Sequence, residues 1–496
     1  MSGLFGVVSK NNCTEDLFYG TDYCTHMGTE FGGLAVISNP TQSDSRILRK
    51  IHNISQGQFK SKFYQDYQDL NGEYGIGVIS DKDEQPIFFN TKFGPIALCT
   101  SGLIENNLEL IHKLHNDGIS FSETTEGHSN STEIVGKLIT QGSSLTDGIL
   151  KMFTLIKGSA SILILTRQGV YAVRDRYGYI PLIIGKRGNE FAVTSDTNAF
   201  PNLGFKIIKY LKPGEIVLLN KRGMEIINNG TTETNQICAF LWIYTGFPAS
   251  KYEDITVEVV RERCGRFLAK RDNVKADVVS GIPDSGTAHA IGYAMESGIP
   301  YRRPLIKYTP GYGRSYTPPT QDIRDKVAKM KLIPIKDIIK DNRIIICEDS
   351  IVRGTQLKNF TIQKLWDNGA KEVHVRPACP PLMFPCPFCL STRSKNELAA
   401  RRAIRSIEGY DRDDIDEYLD WKTEKYKKMV DWINTDLSST TLQYQRLEDM
   451  IAAIGIPRKN LCLYCWTGQC PEENICHEEK LSLETNKIPE VSLPKT

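Results

Sequence analysis

The densest chemistry in the chain follows the apolar run Ile344-Ile345-Ile346-Cys347: two adjacent carboxylates, Glu348 and Asp349, then Ser350, Arg353, Gly354 and Thr355. A short apolar run of this kind reads as a buried strand, and successive side chains at its end point opposite ways. A turn holding hydroxyls and a glycine, opening into a helix, suits a phosphate, because a helix N-terminus offers free amides and the positive end of its dipole. Gly354 allows the backbone to approach an anion closely. The carboxylates just upstream can accept hydrogen bonds from ribose hydroxyls or reach Mg2+ through water. The bland alternative is a strand-to-helix turn capped by Asp and Ser.

Cysteine is the second concentration. Of thirteen, seven (Cys379, Cys386, Cys389, Cys462, Cys465, Cys470, Cys476) lie in the last quarter of the chain. The opening MSGLFGVVSKNN has no basic leader or long apolar core, and no run approaches the roughly 18 apolar residues of a membrane span, so a cytoplasmic protein is expected. In a reducing compartment, clustered cysteines suggest a metal or an iron–sulfur cluster before disulfides. Cys386-Pro387-Phe388-Cys389 and Cys462-Leu463-Tyr464-Cys465 are both C-x-x-C pairs, and a tetrahedral thiolate set suits zinc as well as iron–sulfur.

The elements that must position these groups divide the chain. At 496 residues it exceeds what one core usually spans. Lys+Arg 61 against Asp+Glu 59 leaves a charge of +2, which gives no footprint for bulk nucleic-acid or membrane binding. Strand-like stretches crowd the first half, at 33–38, 76–80, 95–99, 160–166, 170–174, 181–185 and 214–219, with helices expected near 106–117 and 131–140. That rhythm predicts a largely antiparallel layered domain. The polar stretch 228–236 marks the boundary. Beyond it a helix (255–270), strand (274–283), helix (287–297), strand (343–347), helix (356–368, capped by Gly369) and strand (372–378) alternate, predicting a parallel sheet with ligand loops at its strand C-termini. A charged helical region (395–435), the cysteine segment and a disordered polar tail (478–496) complete the reading. The run 422–428 reads as a solvated helix face, and His26 and His374 as structural histidines.

The segment Glu348–Thr355 resembles the phosphoribosyl pyrophosphate (PRPP) motif of type I phosphoribosyltransferases, and its surroundings resemble the amidophosphoribosyltransferase family in particular. The likeness takes in 279–287, GYAMESGIPY (292–301), LIK (305–307), PTQ (319–321), KEVHVR (371–376), PPLMFPC (380–386) and NLCLYCWTG (460–468). It implies that Thr355 and the backbone of Ser350–Thr355, with Arg353 and Gly354, hold the 5-phosphate, and that Glu348 and Asp349 hold the ribose diol. Asp284, Ser285 and Gly286 would line the pyrophosphate side, Ser285, Glu348 and Asp349 would meet Mg2+, and Lys307 would begin the loop that closes over pyrophosphate. Glu348 replaces the family's usual Asp, and an expected Asn-Arg pair is Tyr308-Thr309, leaving Arg314 as a substitute cation. The resemblance also implies a four-iron–four-sulfur cluster (4Fe-4S) on Cys238, Cys386, Cys462 and Cys465, with zinc as the rival and Cys389, Cys470 and Cys476 surplus.

The first half is similar to class II glutamine amidotransferase domains, which have the N-terminal-nucleophile hydrolase fold. SGLFGVVS (2–9), THMGTEFGG (25–33), GIG (75–77), FGPIALCTSG (93–102), STEIV (131–135) and VYAVRDRYGYIPL (170–182) follow the family in order. The implied architecture is a four-layer αββα domain over 1–235, a type I phosphoribosyltransferase domain over 236–477 and the tail. A glutaminase of this kind needs an N-terminal cysteine whose own α-amine serves as base, and position 2 is Ser2. Ser80 stands for the Arg that pairs the glutamine carboxylate, Ser101 (before Gly102) for the oxyanion-hole Asn, Ser131 for the Asp that holds the α-amine, and Met27 for another Arg. Losing one charged partner of a zwitterion costs on the order of 2–5 kcal/mol, so glutaminase activity is expected to be lost. Cys13 and Cys24 carry no free α-amine and cannot substitute.

The expectation is phosphoribosyl transfer from PRPP to ammonia, to ammonia from a partner protein, or to another amine, as in purine biosynthesis, with self-association into dimers or tetramers. The alternative is a PRPP- or nucleotide-binding regulatory protein with little turnover.

Overall fold

The computed structural model describes residues 2–38, 46–125, 128–233, 235–308, 331–389 and 394–470. Gly3–Val8 is buried throughout, because its two faces serve different cores. Leu4 and Val8 point into one and Phe5 and Val7 into the other, as a period of two requires. The strand pairs antiparallel with Glu190–Thr194 on one side and Tyr74–Ser80 on the other. Ile183–Arg187 and Lys206–Tyr210 extend the first flank, and Phe31–Ser38 and Arg46–Asn53 the second, giving seven strands. A six-stranded antiparallel sheet lies against them, in the order Gly223–Asn229, Glu215–Asn220, Gly169–Val173, Ser161–Thr166, Gly94–Ser101, Ile87–Thr91.

The core between the sheets draws Leu4, Ile76 and Val193 from one and Ala97, Leu163 and Val217 from the other. Helices Thr14–Asp22 and Phe59–Asp69 cover the outer face of the larger sheet through Leu17, Phe18, Phe59 and Phe63. Asn107–Asn116, Ser131–Thr140 and Leu145–Leu155 cover the smaller one. Among these, Ser131–Thr140 is fixed by Asn130, whose side chain accepts from the amides of Thr132 and Glu133. The four layers αββα are therefore present.

The second half is built on four parallel strands in the order Val278–Gly281, Arg343–Glu348, Glu372–Pro377, Thr441–Leu442. Ile345 and Cys347 face helices Val257–Lys270 and Thr287–Ser297, while Ile344 and Ile346 face Ala399–Glu408 and Glu424–Leu437. The mixed α/β class expected from the sequence is thus observed. Two details differ. The helix expected over 356–368 forms in two pieces, a wide π-type stretch Leu357–Ile362 and an α-helix Gln363–Asp367; Asn359, Phe360, Thr361 and Ile362 are weak helix formers. The charged region 395–435 breaks into Ala399–Glu408, Asp416–Leu419 and Glu424–Leu437.

Among the described residues, no helix is long and apolar enough to cross a membrane. Thr309, Arg314, Cys476 and the tail 478–496 lie outside the described residues.

Candidate functional site

Parallel neighbours deliver the ends of Val278–Gly281 and Arg343–Glu348 to the same edge, with Gly281 beside Cys347. The loops that follow meet there. Ser285 Oγ donates to Glu348 Oε1 at 2.8 Å, and the Asp349 amide donates to the same oxygen at 3.0 Å. Ser350 Oγ donates to Asp349 Oδ2 at 2.5 Å. Burial and the neighbouring Asp349 carboxylate push the Glu348 carboxyl well above its ordinary range.

Gly286 is required here by space: a Cβ on it would lie 2.2 Å from the Cys347 carbonyl oxygen. Gly354 is required by backbone, with φ +78 in the left-handed region. It brings the chain into the helix opening at Thr355, where the Lys358 amide donates to the Gly354 carbonyl. Lys307 Nζ reaches Asp284 Oδ2 at 2.6 Å, and both side chains are substantially exposed. Arg353 pairs with Glu397 at 2.6 Å on the surface, so its cation is turned to a neighbouring carboxylate. A cavity of about 270 Å3 opens beside Asp284, lined also by Gly281, Thr287, Tyr301, Arg303 and Leu305. Tyr301 closes the stretch 292–301 quoted above but drew no role there, and Arg303 went unremarked, since no local spacing flags it.

The four cysteines named together lie at the junction between the halves. Ile237–Cys238 pairs in parallel with Leu461–Cys462, setting Cys238 beside Cys462. Carbonyl Cys465 O accepts from the amides of Met383 and Phe384, which tethers the 380–389 loop. Cys465 and Cys386 thiols are within hydrogen-bonding reach, and Cys389 joins them. All five are buried. Burial and neighbouring thiols push Cys389 and Cys462 well above the ordinary range, and the Cys386 thiol is the leading cause for Cys465.

This donor set is all sulfur, and a bound cation would convert mutual repulsion into ligation. The buried Tyr179 hydroxyl, close to Cys462 and Cys389, has no hydrogen-bond partner among the described residues and offers a donor to sulfur. The residues therefore fit a thiolate-held metal group. Among the described residues no three His, Cys, Asp or Glu side chains are already spaced around a common ion, so the fit rests on donor type and burial.

In the first half, Ser2 Oγ lies 3.5 Å from Ser80 Oγ, and Ser101 Oγ donates to the Ser2 carbonyl at 2.6 Å. Gly102 follows with φ +145, pressed against the Ser159 carbonyl. Among the described residues, no hydrogen bond joins Ser131 directly to these three hydroxyls. The Ser131 amide donates to Asp83 Oδ2 at 3.1 Å and its hydroxyl accepts from Asn107 at 3.3 Å. Asp83, not singled out in the sequence, has its carboxyl pushed up by burial, and its amide donates to Ser80 Oγ. Met27 is buried, with Ser195 Oγ at 3.7 Å from its sulfur.

His26 serves a different neighbour. Its Nε2 lies 3.0 Å from Asp196, a fully buried carboxylate that also accepts from the Asn198 and Phe247 amides, Ser250 Oγ and Tyr252 OH. His374 bonds Thr441 Oγ1 and Glu372 at 2.9 Å each.

A glutamine amidotransferase domain profile matches residues 69–202. The amidophosphoribosyltransferase of Methanocaldococcus jannaschii is 32% identical over 95% of this chain and 98% of its own length. That of Bacillus subtilis is 29% identical over 95% and 94%. The solved structure of glutamine PRPP amidotransferase from B. subtilis, complexed with ADP and GMP, superposes with a TM-score of 0.80 at 28% identity, covering 95% of this chain and 97% of that one.

Proposed function

Given that the chain belongs to the amidophosphoribosyltransferase family, we propose that it transfers the phosphoribosyl group of PRPP to ammonia or another amine, and that its glutaminase half (1–235) no longer hydrolyses glutamine. The observation that carries the first part is the meeting of two strand-end loops through the Ser285–Glu348 hydrogen bond. The transferase half (236–477) would then take the 5-phosphate on Thr355 and the amides of 350–355, and the ribose hydroxyls on Glu348 and Asp349. Asp284, Ser285, Gly286 and Lys307 would receive pyrophosphate.

Mg2+, held by Ser285, Glu348 and Asp349, would supply charge for the departing pyrophosphate. The protein's own part is positioning and electrostatics. The Glu348 and Asp349 carboxylates would face the sugar on which positive charge develops. The C1–oxygen bond to pyrophosphate breaks, and the amine supplies the electron pair that forms the new C1–nitrogen bond.

Loss of the glutaminase is supported by the groups that meet Ser2, the Ser80 and Ser101 hydroxyls, which stand where the family has an arginine and an asparagine. Asp83 is already engaged by the Ser131 amide. The junction thiols would hold a 4Fe-4S cluster through Cys238, Cys386, Cys462 and Cys465, with zinc as the rival. The expected setting is the cytoplasm, with self-association and an ammonia-supplying partner.

Pyrophosphate release from PRPP with Mg2+ tests these readings, comparing no amine, ammonium and glutamine. Turnover with ammonium alone is expected. Turnover with glutamine overturns the account of the first half. PRPP binding without turnover would favour a regulatory protein, the reading supported by exposed Tyr308 where the family has Asn.

A further inference from the structure

Five thiols meet at the junction, one more than a four-ligand centre uses. We infer that Cys389 is a ligand-competent fifth thiol of the metal centre, placed to stand in for Cys386. The inference rests on the metal centre proposed above and adds to it a residue with no part in the four-cysteine set.

Geometry distinguishes Cys389 from the other buried cysteines. Cys13 and Cys24 pack among the apolar side chains under the larger sheet, and Cys99 between the sheets. The Cys389 thiol instead stands within hydrogen-bonding reach of both the Cys238 and Cys386 thiols. It is 1% exposed. Its own amide donates to Cys386 Sγ at 3.3 Å, which closes Cys386–Cys389 into a tight loop. In Cys462–Cys465 the amide on the Cys462 sulfur comes instead from Tyr464, one residue earlier. The two C-x-x-C loops meet through Cys386 and Cys465, with Cys238 beside Cys462.

The Cys389 loop is also pinned. Phe388 stacks on Tyr179 at 4.1 Å between ring centroids, and its carbonyl accepts from the Leu103 amide at 2.9 Å. These contacts come from the first half of the molecule and hold Cys389 inward, against the other thiols. A four-iron cluster or a zinc ion takes four thiolates, so the fifth is in reserve. Substitution of one sulfur for the other needs no oxidant: the Cys389 thiol gives up its proton as its bond to metal forms, and the released Cys386 thiolate takes a proton up. Charge and metal oxidation state are unchanged.

The test uses the full chain purified without oxygen, with iron, sulfide and zinc per chain and absorbance near 400 nm as readouts. Cys386→Ala and Cys389→Ala are each expected to keep at least half of the wild-type metal, and the double variant to fall at least tenfold below it. A Cys386→Ala chain as empty as the double variant overturns the inference. A wild-type chain holding neither iron nor zinc overturns the metal centre itself, and this inference with it. A second measurement covers misfolding of Cys386→Ala: the rate at which a chelator strips metal from Cys389→Ala, expected to be at least tenfold above wild type. Equal rates overturn the role assigned to Cys389.

Discussion

Gly286→Ala puts the transferase site under a defined load. The added methyl would lie 2.2 Å from the Cys347 carbonyl oxygen and 2.7 Å from the Ile282 nitrogen, both backbone atoms that cannot rotate away. An ordinary contact is about 3.5 Å, so the strand end and the loop must part by about 1 Å. That separation falls on the 2.8 Å bond from Ser285 to Glu348, and a bond stretched to nearly 4 Å is no longer one. A displacement of about 1 Å in a positioning group costs about 10^2-fold in rate, equivalent to about 2.7 kcal/mol. Overpacking should also cost about 1–3 kcal/mol of stability. The assay is pyrophosphate release with ammonium, alongside calorimetric PRPP binding and urea unfolding. Ile433→Val, in a helix on the far face of the parallel sheet and 1% exposed, is the control: it should lose about 0.5–1.5 kcal/mol of stability with its activity intact. If Gly286→Ala binds and turns over PRPP as the wild type does, the pyrophosphate side of the site is wrongly placed.

Restoring the nucleophile by Ser2→Cys should not restore glutamine hydrolysis, because Ser80, Ser101 and Ser131 leave the zwitterion unpaired; released glutamate measures this. The Glu348 carboxyl is raised in the fold, so its contribution to stability is present at pH below the unfolded carboxyl's range and is lost as pH rises toward the folded value. Glu348→Gln should thus gain more urea stability over wild type at pH 8 than at pH 5, while Mg2+-dependent PRPP binding weakens about 10- to 100-fold, the equivalent of one hydrogen bond to a charged group. Asp272→Ala should cost about 3–5 kcal/mol in urea unfolding, because it strands the buried Arg376 guanidinium that Asp272 pairs. Anaerobically purified protein should be brown with absorbance near 400 nm, and a colourless protein with one zinc per chain would decide for the rival.

Much of the architecture is legible because apolar residues recur at a period of two or in short unbroken runs. Ile344-Ile345-Ile346-Cys347 announces a central strand because helices cover both of its faces. Helices Thr14–Asp22 and Phe59–Asp69 are illegible because each presents few apolar anchors, Phe59 and Phe63 alone being buried in the second. The phosphate loop reads out locally, since Glu348 through Thr355 are consecutive. Ser285 joins them only through the parallel pairing of two strands distant in sequence. The Asp196 hub is invisible in one dimension because its partners come from positions 26, 247, 250 and 252. Ser131 meets Ser80 only by way of Asp83, whose carboxylate takes the Ser131 amide and whose own amide bonds Ser80 Oγ, a link that no local spacing announces.

The short parallel ribbon of Ile237–Cys238 with Leu461–Cys462 has a consequence for how the molecule is made. Its first strand leaves the ribosome long before its second, so the seam waits, open, while everything between is synthesised. Newly made protein must therefore pass through a stage in which both halves are largely built and the last-translated segment has yet to be stitched in. A nascent chain stalled short of residue 461 would carry that seam unfastened.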